Sequence, residues 1–293
     1  MPRKVTPEAY YDFLPPADHA PGDVWTGLPS HGLLKTRTVR GLVVTPACDL
    51  MNRKVETITY IPLLPIQEWF ASLCFLPDVV GAINAVLDQL GKGASKPTYR
   101  LPRYPTPEDV QQLRRVAEMH PAGDHAPASK RLLAGISHIE KALRPEPVSA
   151  SGSELALLFG EKKWTDDRKK LVRNALRTDT YFLPHDEQDP DWSGIPCHSL
   201  ALFRYPLSAP IAILDTAADP ACSNWNACVQ SLELLHPMAA SFKLERPIKR
   251  CRLHDRFFAD LLSKYLAVYA RVGAPDFTDA TVTQYAEQLG GTP

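Results

Sequence analysis

The chain of 293 residues is 44% hydrophobic and 23% charged, ordinary for a soluble globular protein with a large core and one or two domains. Lysine plus arginine and aspartate plus glutamate both number 33, so no global charge argues for nucleic acid or membrane, and any such argument must rest on local patches. No apolar run approaches the roughly 18 to 20 residues of a membrane helix.

The N-terminal stretch "MPRKVTPEAYYDFLPPADHAPGD" has no apolar signal core, and six cysteines in so long a chain do not make a disulfide framework. Both predict a cytoplasmic chain in a reducing compartment. The 28 prolines predict many short elements with frequent stops.

Residues 1–21 read as an arm with one short helix capped by Thr6 and opened by Pro7. "GDVW" then opens a β-rich region. "TRTVRGLVVT" (36–45) and "VETITYIPLL" (55–64) are β-branched runs, and the second alternates with the period of a sheet. From Gln67 the spacing turns helical, interrupted at Pro77 and stopped by Gly91 and Gly93. A proline-rich connection, "KPTYRLPRYP", leads to "TPEDVQQLRRVAEMH", a helix with Thr106 as cap and Pro107 at its first position. "ASKRLLAGISHIEKALR" and "WTDDRKKLVRNALR" predict further amphipathic helices. β character returns at 180–185, 198–205, 209–216 and 239–253. "HDRFFADLLSKYLAVYARVG" predicts a docking helix stopped by Gly273, and a short terminal helix follows, capped by Thr278 or Asp279.

The features "GDVW" on a first strand, a cationic run into "RGLVVTP" and then "ITYIPLLP" resemble the MazF/PemK family of toxin ribonucleases, over about 45 of the 293 residues. The resemblance implies an SH3-like barrel, with Arg40 in the place of the arginine that contacts the scissile phosphate and Thr45 in that of the hydroxyl residue at the strand end. The fold expected is therefore α+β. An SH3-like β-barrel from residues 22–66 and 179–253 is interrupted by a helical insertion (67–178), preceded by the arm and closed by C-terminal helices (254–293).

Chemistry-bearing residues divide unevenly. Cys48-Asp49 has no local histidine as base, and reads better as a strand end in which Cys48 packs and Asp49 caps a turn. Cys222 and Cys228, six apart, have the wrong gap for a structural-zinc pair, Cys251 and His254, three apart, show what a strand-to-helix junction gives by chance, and Cys197-His198 is a further pair in the same β-rich half. The loop "HDEQDPDW" has no calcium spacing, so no metal and no cofactor are expected. Arg115 and His120 match the loose signature of the HEPN ribonucleases, but five helical positions separate them by ~140°, as for two solvated residues. P-loop, dinucleotide and nucleophile-elbow patterns are absent.

The basic stretches point further. Lys35, Arg37, Arg40, Arg53 and Lys54 surround the first strands, while Lys243, Arg246, Lys249, Arg250 and Arg252 lie on a later predicted strand. One positive face built from these would neutralise phosphates, with Trp25, Tyr60 or Trp164 to stack bases. The alternative is that lysine and arginine merely guard exposed strands against pairing.

The resemblance and the local charge together predict a cytoplasmic, non-catalytic module of a prokaryotic toxin-related or phage-defence-like system. Its partners would be RNA, DNA or another protein, and not a membrane. Two alternatives stand beside it: a metal-independent endoribonuclease using Arg40, Thr45 and Asp49, and a structural partner protein docking through its helical insertion.

Overall fold

The computed structural model describes residues 10–12, 17–32, 35–90, 99–119, 126–185, 194–270 and 278–281. The predicted arm helix at Thr6, the acidic loop 186–193, His120 and most of the terminal helix lie outside them. The fold is α+β, built on one sheet of eight strands.

The sheet begins as the sequence suggests. β2 (Asp23–Pro29), β3 (Thr38–Val43) and β4 (Thr57–Pro65) form an antiparallel meander, with a short helix α1 (Ala47–Met51) between the last two. The remaining strands are β1 (Tyr11–Asp12), β5 (Thr180–Leu183), β6 (Ser199–Leu202), β7 (Leu207–Pro210) and β8 (Ile248–Leu253). Their order is β1-β8-β2-β3-β4-β6-β5, with β7 also on β4. The outer strands β1 and β5 do not pair with each other, so the sheet is open and the expected barrel does not close. The arm expected at 1–21 supplies β1, which adds to β8.

Two further expectations are corrected. "APIAILDT" is half strand and half helix: β7 ends at Pro210, and α8 (Ile211–Ala218) starts there because Pro210 interrupts the ladder. The basic segment 239–253 is a 3-10 turn over 237–242 and then β8, so Lys243 and Arg246 precede the strand.

Both sheet faces are covered. One carries Trp25, Leu28, Tyr60, Leu64 and Leu202 and packs against the helical block. That block comprises α2 (Ile66–Phe70), α3 (Leu76–Leu90), α4 (Pro107–Glu118), α5 (Ala126–Leu143), α6 (Gly152–Phe159) and α7 (Glu161–Val172). α9 (Trp225–Glu233) also adds to this core through Val229. The other face carries Val24, Leu42, Ile61, Phe203 and Cys251 and is covered by Leu261 and Tyr265 of α10 (Asp255–Tyr269). Local signals are met in detail at α4, where the Thr106 side chain accepts from the Asp109 amide while Asp109 accepts from that of Thr106. Gly41 is needed because a Cβ there would meet the Tyr60 ring at 2.5 Å and Leu28 at 2.6 Å.

Candidate nucleic-acid interface

Two register shifts in the sheet sort the cations. Between Trp25 and Leu28, β2 holds Thr26 and Gly27 against the single residue Arg40 of β3, a bulge that Gly27 permits with φ +72. On the other edge of β2, Asp23 faces Arg252 and Val24 faces Cys251, but Trp25 faces Lys249, so Arg250 is the extra residue of β8. Strict alternation would place Lys249 on the face of Cys251. The bulge returns it to the face of Asp23 and Trp25, alongside Arg252, and turns Arg250 the other way.

The consequences are opposite for neighbouring residues. Asp23 is fully buried and its carboxylate holds Lys249 at 2.8 Å and Arg252 at 2.7 Å, with the Ala20 amide donating at 2.9 Å. Both cations also donate to the Asp18 carbonyl. Lys249 and Arg252 therefore tie the arm to the sheet.

Arg250 is exposed, and it meets Arg40 in a cleft of about 270 Å³ that Thr26, Thr38, Glu68 and Glu245 also line. The backbones of β3 and β8 flank β2, which sets them two strand spacings, ~10 Å, apart. Arg40 is half-buried, its Nε donating to the Gly194 carbonyl at 3.1 Å. Burial lowers the pKa of its guanidinium and the like charge of Arg250 adds to this, while Cys197, Cys251 and Glu245 oppose it. The Thr38 hydroxyl donates to Glu245 at 2.8 Å. Burial raises the pKa of Glu68, and the nearby Arg40 partly opposes it.

This cleft continues. A smaller cavity of about 120 Å³ shares Leu64 and Glu68 with it and adds Lys35, whose ammonium donates to the Ala142 carbonyl at the end of α5. That cavity in turn shares Leu73, Cys74 and Tyr205 with a third, of about 450 Å³, which holds Arg103, Tyr104, Arg177 and Arg204. The three adjoin through these shared residues, and together they are lined by six cations against four carboxylates, in a chain whose formal net charge is zero.

Other expected site residues lie elsewhere. Arg37 is exposed and does not line the cleft, although its neighbours Thr36 and Thr38 do, and it makes no ion pair with a described residue. Thr45 stands five residues from Arg40, roughly 16 Å along an extended chain, and its buried hydroxyl accepts the Thr59 amide at 2.6 Å. Asp49 sits on α1 beyond that end of the strand. The trio Arg40, Thr45 and Asp49 is thus not assembled. Arg53 and Lys54 follow α1, away from the groove, and Arg53 lines a separate cleft with His19 and Asp215.

Trp25, Tyr60 and Trp164 stack no base, because they are 1%, 0% and 4% exposed within the core. The exposed aromatic of the groove is Tyr104, in the proline-rich stretch that composition marks only as a connection. Cys222 and Cys228 form a disulfide, and no group of three or more metal-ligating side chains occurs among the described residues. Cys48 is exposed beside Asp49 at 3.6 Å, while burial pushes the Cys251 thiol up to about 12. No helix among the described residues is long and apolar enough to cross a membrane. Family models, characterised proteins and solved structures offer no match to this chain.

Proposed function

We propose that this chain is a nucleic-acid-binding module that holds a single strand of RNA or DNA along the groove. The observation that carries the reading is the meeting of Arg40 and Arg250 in one cleft, Arg250 turned into it by a register shift of β8. Two arginines in one cleft, on strands whose backbones lie ~10 Å apart, can each take a phosphate of one strand, and guanidinium forks bind such oxygens bidentately. A duplex would ask for a helix or ribbon projecting into a groove of its own, whereas this surface is concave. The prokaryotic toxin-related or phage-defence-like setting, and the cytoplasm with it, rest on the sequence resemblance and composition alone.

A second reading, an endoribonuclease, draws on Glu68. Its half-buried carboxyl lies beside Arg40 with a raised pKa, the setting of a general base facing a phosphate-binding arginine. In that reading Glu68 takes the role expected of Thr45 or Asp49.

One titration separates the readings: labelled oligouridylate followed by anisotropy across a salt series, with the product run on a gel. The binding module predicts salt-sensitive affinity and intact RNA, with the slope of log K against log salt falling by ~0.7 in Arg250→Ala. Cleavage lost in Glu68→Gln would install the ribonuclease instead. Binding absent even at low salt would remove both and turn attention to a protein partner, for which Leu234, Leu235 and Leu244 are 89%, 76% and 57% exposed.

A further inference from the structure

We infer that the cavity around Tyr104 is a second subsite of the same groove, taking one base and its phosphate from the strand whose other end lies at Arg40 and Arg250. The inference rests on the nucleic-acid reading above and adds to it where the strand runs.

Three observations carry it. The first is chemical. Tyr104 is 60% exposed, with the Arg103 guanidinium over its ring at 5.7 Å, so an aromatic face and a cation stand together at the rim. Single-strand-binding surfaces place this pair of groups beside each other, the ring for a base and the cation for the backbone.

The second is the state of the arginines. Arg177 grips Asp179 through Nε and Nη2, at 2.9 and 3.0 Å, and reaches Asp78 through Nη1 at 3.1 Å. Asp179 is thereby occupied, and the Nε of Arg204 shares one of its oxygens at 3.0 Å. The terminal nitrogens of Arg204 point to no partner among the described residues, and its side chain is 64% exposed. A guanidinium steered by one bond, with its outer donors open, is a preorganised anion contact. The indole N–H of Trp69, which lines the same cavity, is buried without a hydrogen-bond partner.

The third is continuity. Leu73, Cys74 and Tyr205 belong both to this cavity and to the one that reaches Glu68 and the first cleft. β3 and β5 are three strand spacings, ~14 Å, apart between backbones, and the bound strand would pass from one side to the other by way of Leu64 and Glu68, which the first two cavities share. A strand of a few nucleotides spans that.

The test is the affinity of labelled oligouridylates of ~4 and ~12 nucleotides for wild type, Arg250→Ala, Tyr104→Ala and Arg103→Ala at one low salt concentration. Tyr104 and Arg103 are exposed, so these two variants are expected to keep the wild-type melting curve. The inference predicts that the long probe binds Tyr104→Ala roughly tenfold more weakly than wild type, as for one lost stacking platform. Arg250→Ala should weaken the long probe as well, and the short probe should gain little from the full groove. If the long probe weakens only in Arg250→Ala and is unchanged in Tyr104→Ala and Arg103→Ala, the second subsite is wrong while the groove stands. Failure of both probes to bind wild type overturns the groove reading itself.

Discussion

Lys249 and Arg250 are adjacent cations on one strand, yet they belong to two different constructions. Lys249, with Arg252, closes on the buried carboxylate of Asp23 and holds the arm against β8. Arg250 faces the cleft of Arg40, where no described carboxylate lies within ion-pairing distance of either arginine. The difference comes from one extra residue in the ladder. A run of basic residues is therefore not one surface: the partner each cation finds decides whether it is structure or interface.

The comparison breaks most visibly at Asp23. Asp23→Ala leaves two largely buried cations facing an apolar side chain, and should cost about 3 kcal/mol in urea unfolding. Restoring partial contact in Asp23→Asn should recover part of that. Gly194→Ala ranks next. A Cβ there would collide with the Cys251 sulfur, so the loop whose carbonyl holds Arg40 must shift. We expect a loss of about 1–3 kcal/mol together with weaker oligonucleotide binding.

Arg250→Ala should leave the melting curve within about 0.5 kcal/mol of wild type while weakening oligonucleotide binding several-fold. Glu68→Gln has the smallest expected effect and the opposite sign. Burial raises the pKa of Glu68, so its carboxyl takes up a proton before an ordinary glutamate would as pH falls. Protonation removes a negative charge from the groove, and affinity for phosphate rises as pH falls through that raised pKa. Folded stability rises in the same direction, because the native state binds this proton more tightly than the unfolded chain. Glu68→Gln should bind oligonucleotide about threefold more tightly at neutral pH and flatten the pH profile of binding, measured by anisotropy.

Local order was readable before the structure. The meander β2–β3–β4 and the cap at Thr106 depend on residues a few positions apart, and the interruption expected at Pro77 falls just before that residue, with Pro77 in the first turn of α3. The open sheet was not, since whether β1 and β5 meet depends on pairings between distant segments. Nor was α8: "AIL" after Pro210 has the apolar, β-branched character of a strand, and a run so short does not distinguish the two. Arg40 and Arg250 were both named from charge, and the structure brings them together. Lys249 and Arg252 were named on the same ground, but their partner Asp23 lies more than 200 positions away, beyond the reach of any pattern. Tyr104 was missed because exposure, not residue type, separates it from Trp25 and Tyr60.

The most direct test of that division is the salt slope of oligouridylate binding in Arg250→Ala beside Lys249→Ala, each below its unfolding temperature. The account predicts a slope shallower by ~0.7 in Arg250→Ala and unchanged in Lys249→Ala, which should instead melt earlier. Equal slopes in both variants, or a loss confined to Lys249→Ala, would contradict it.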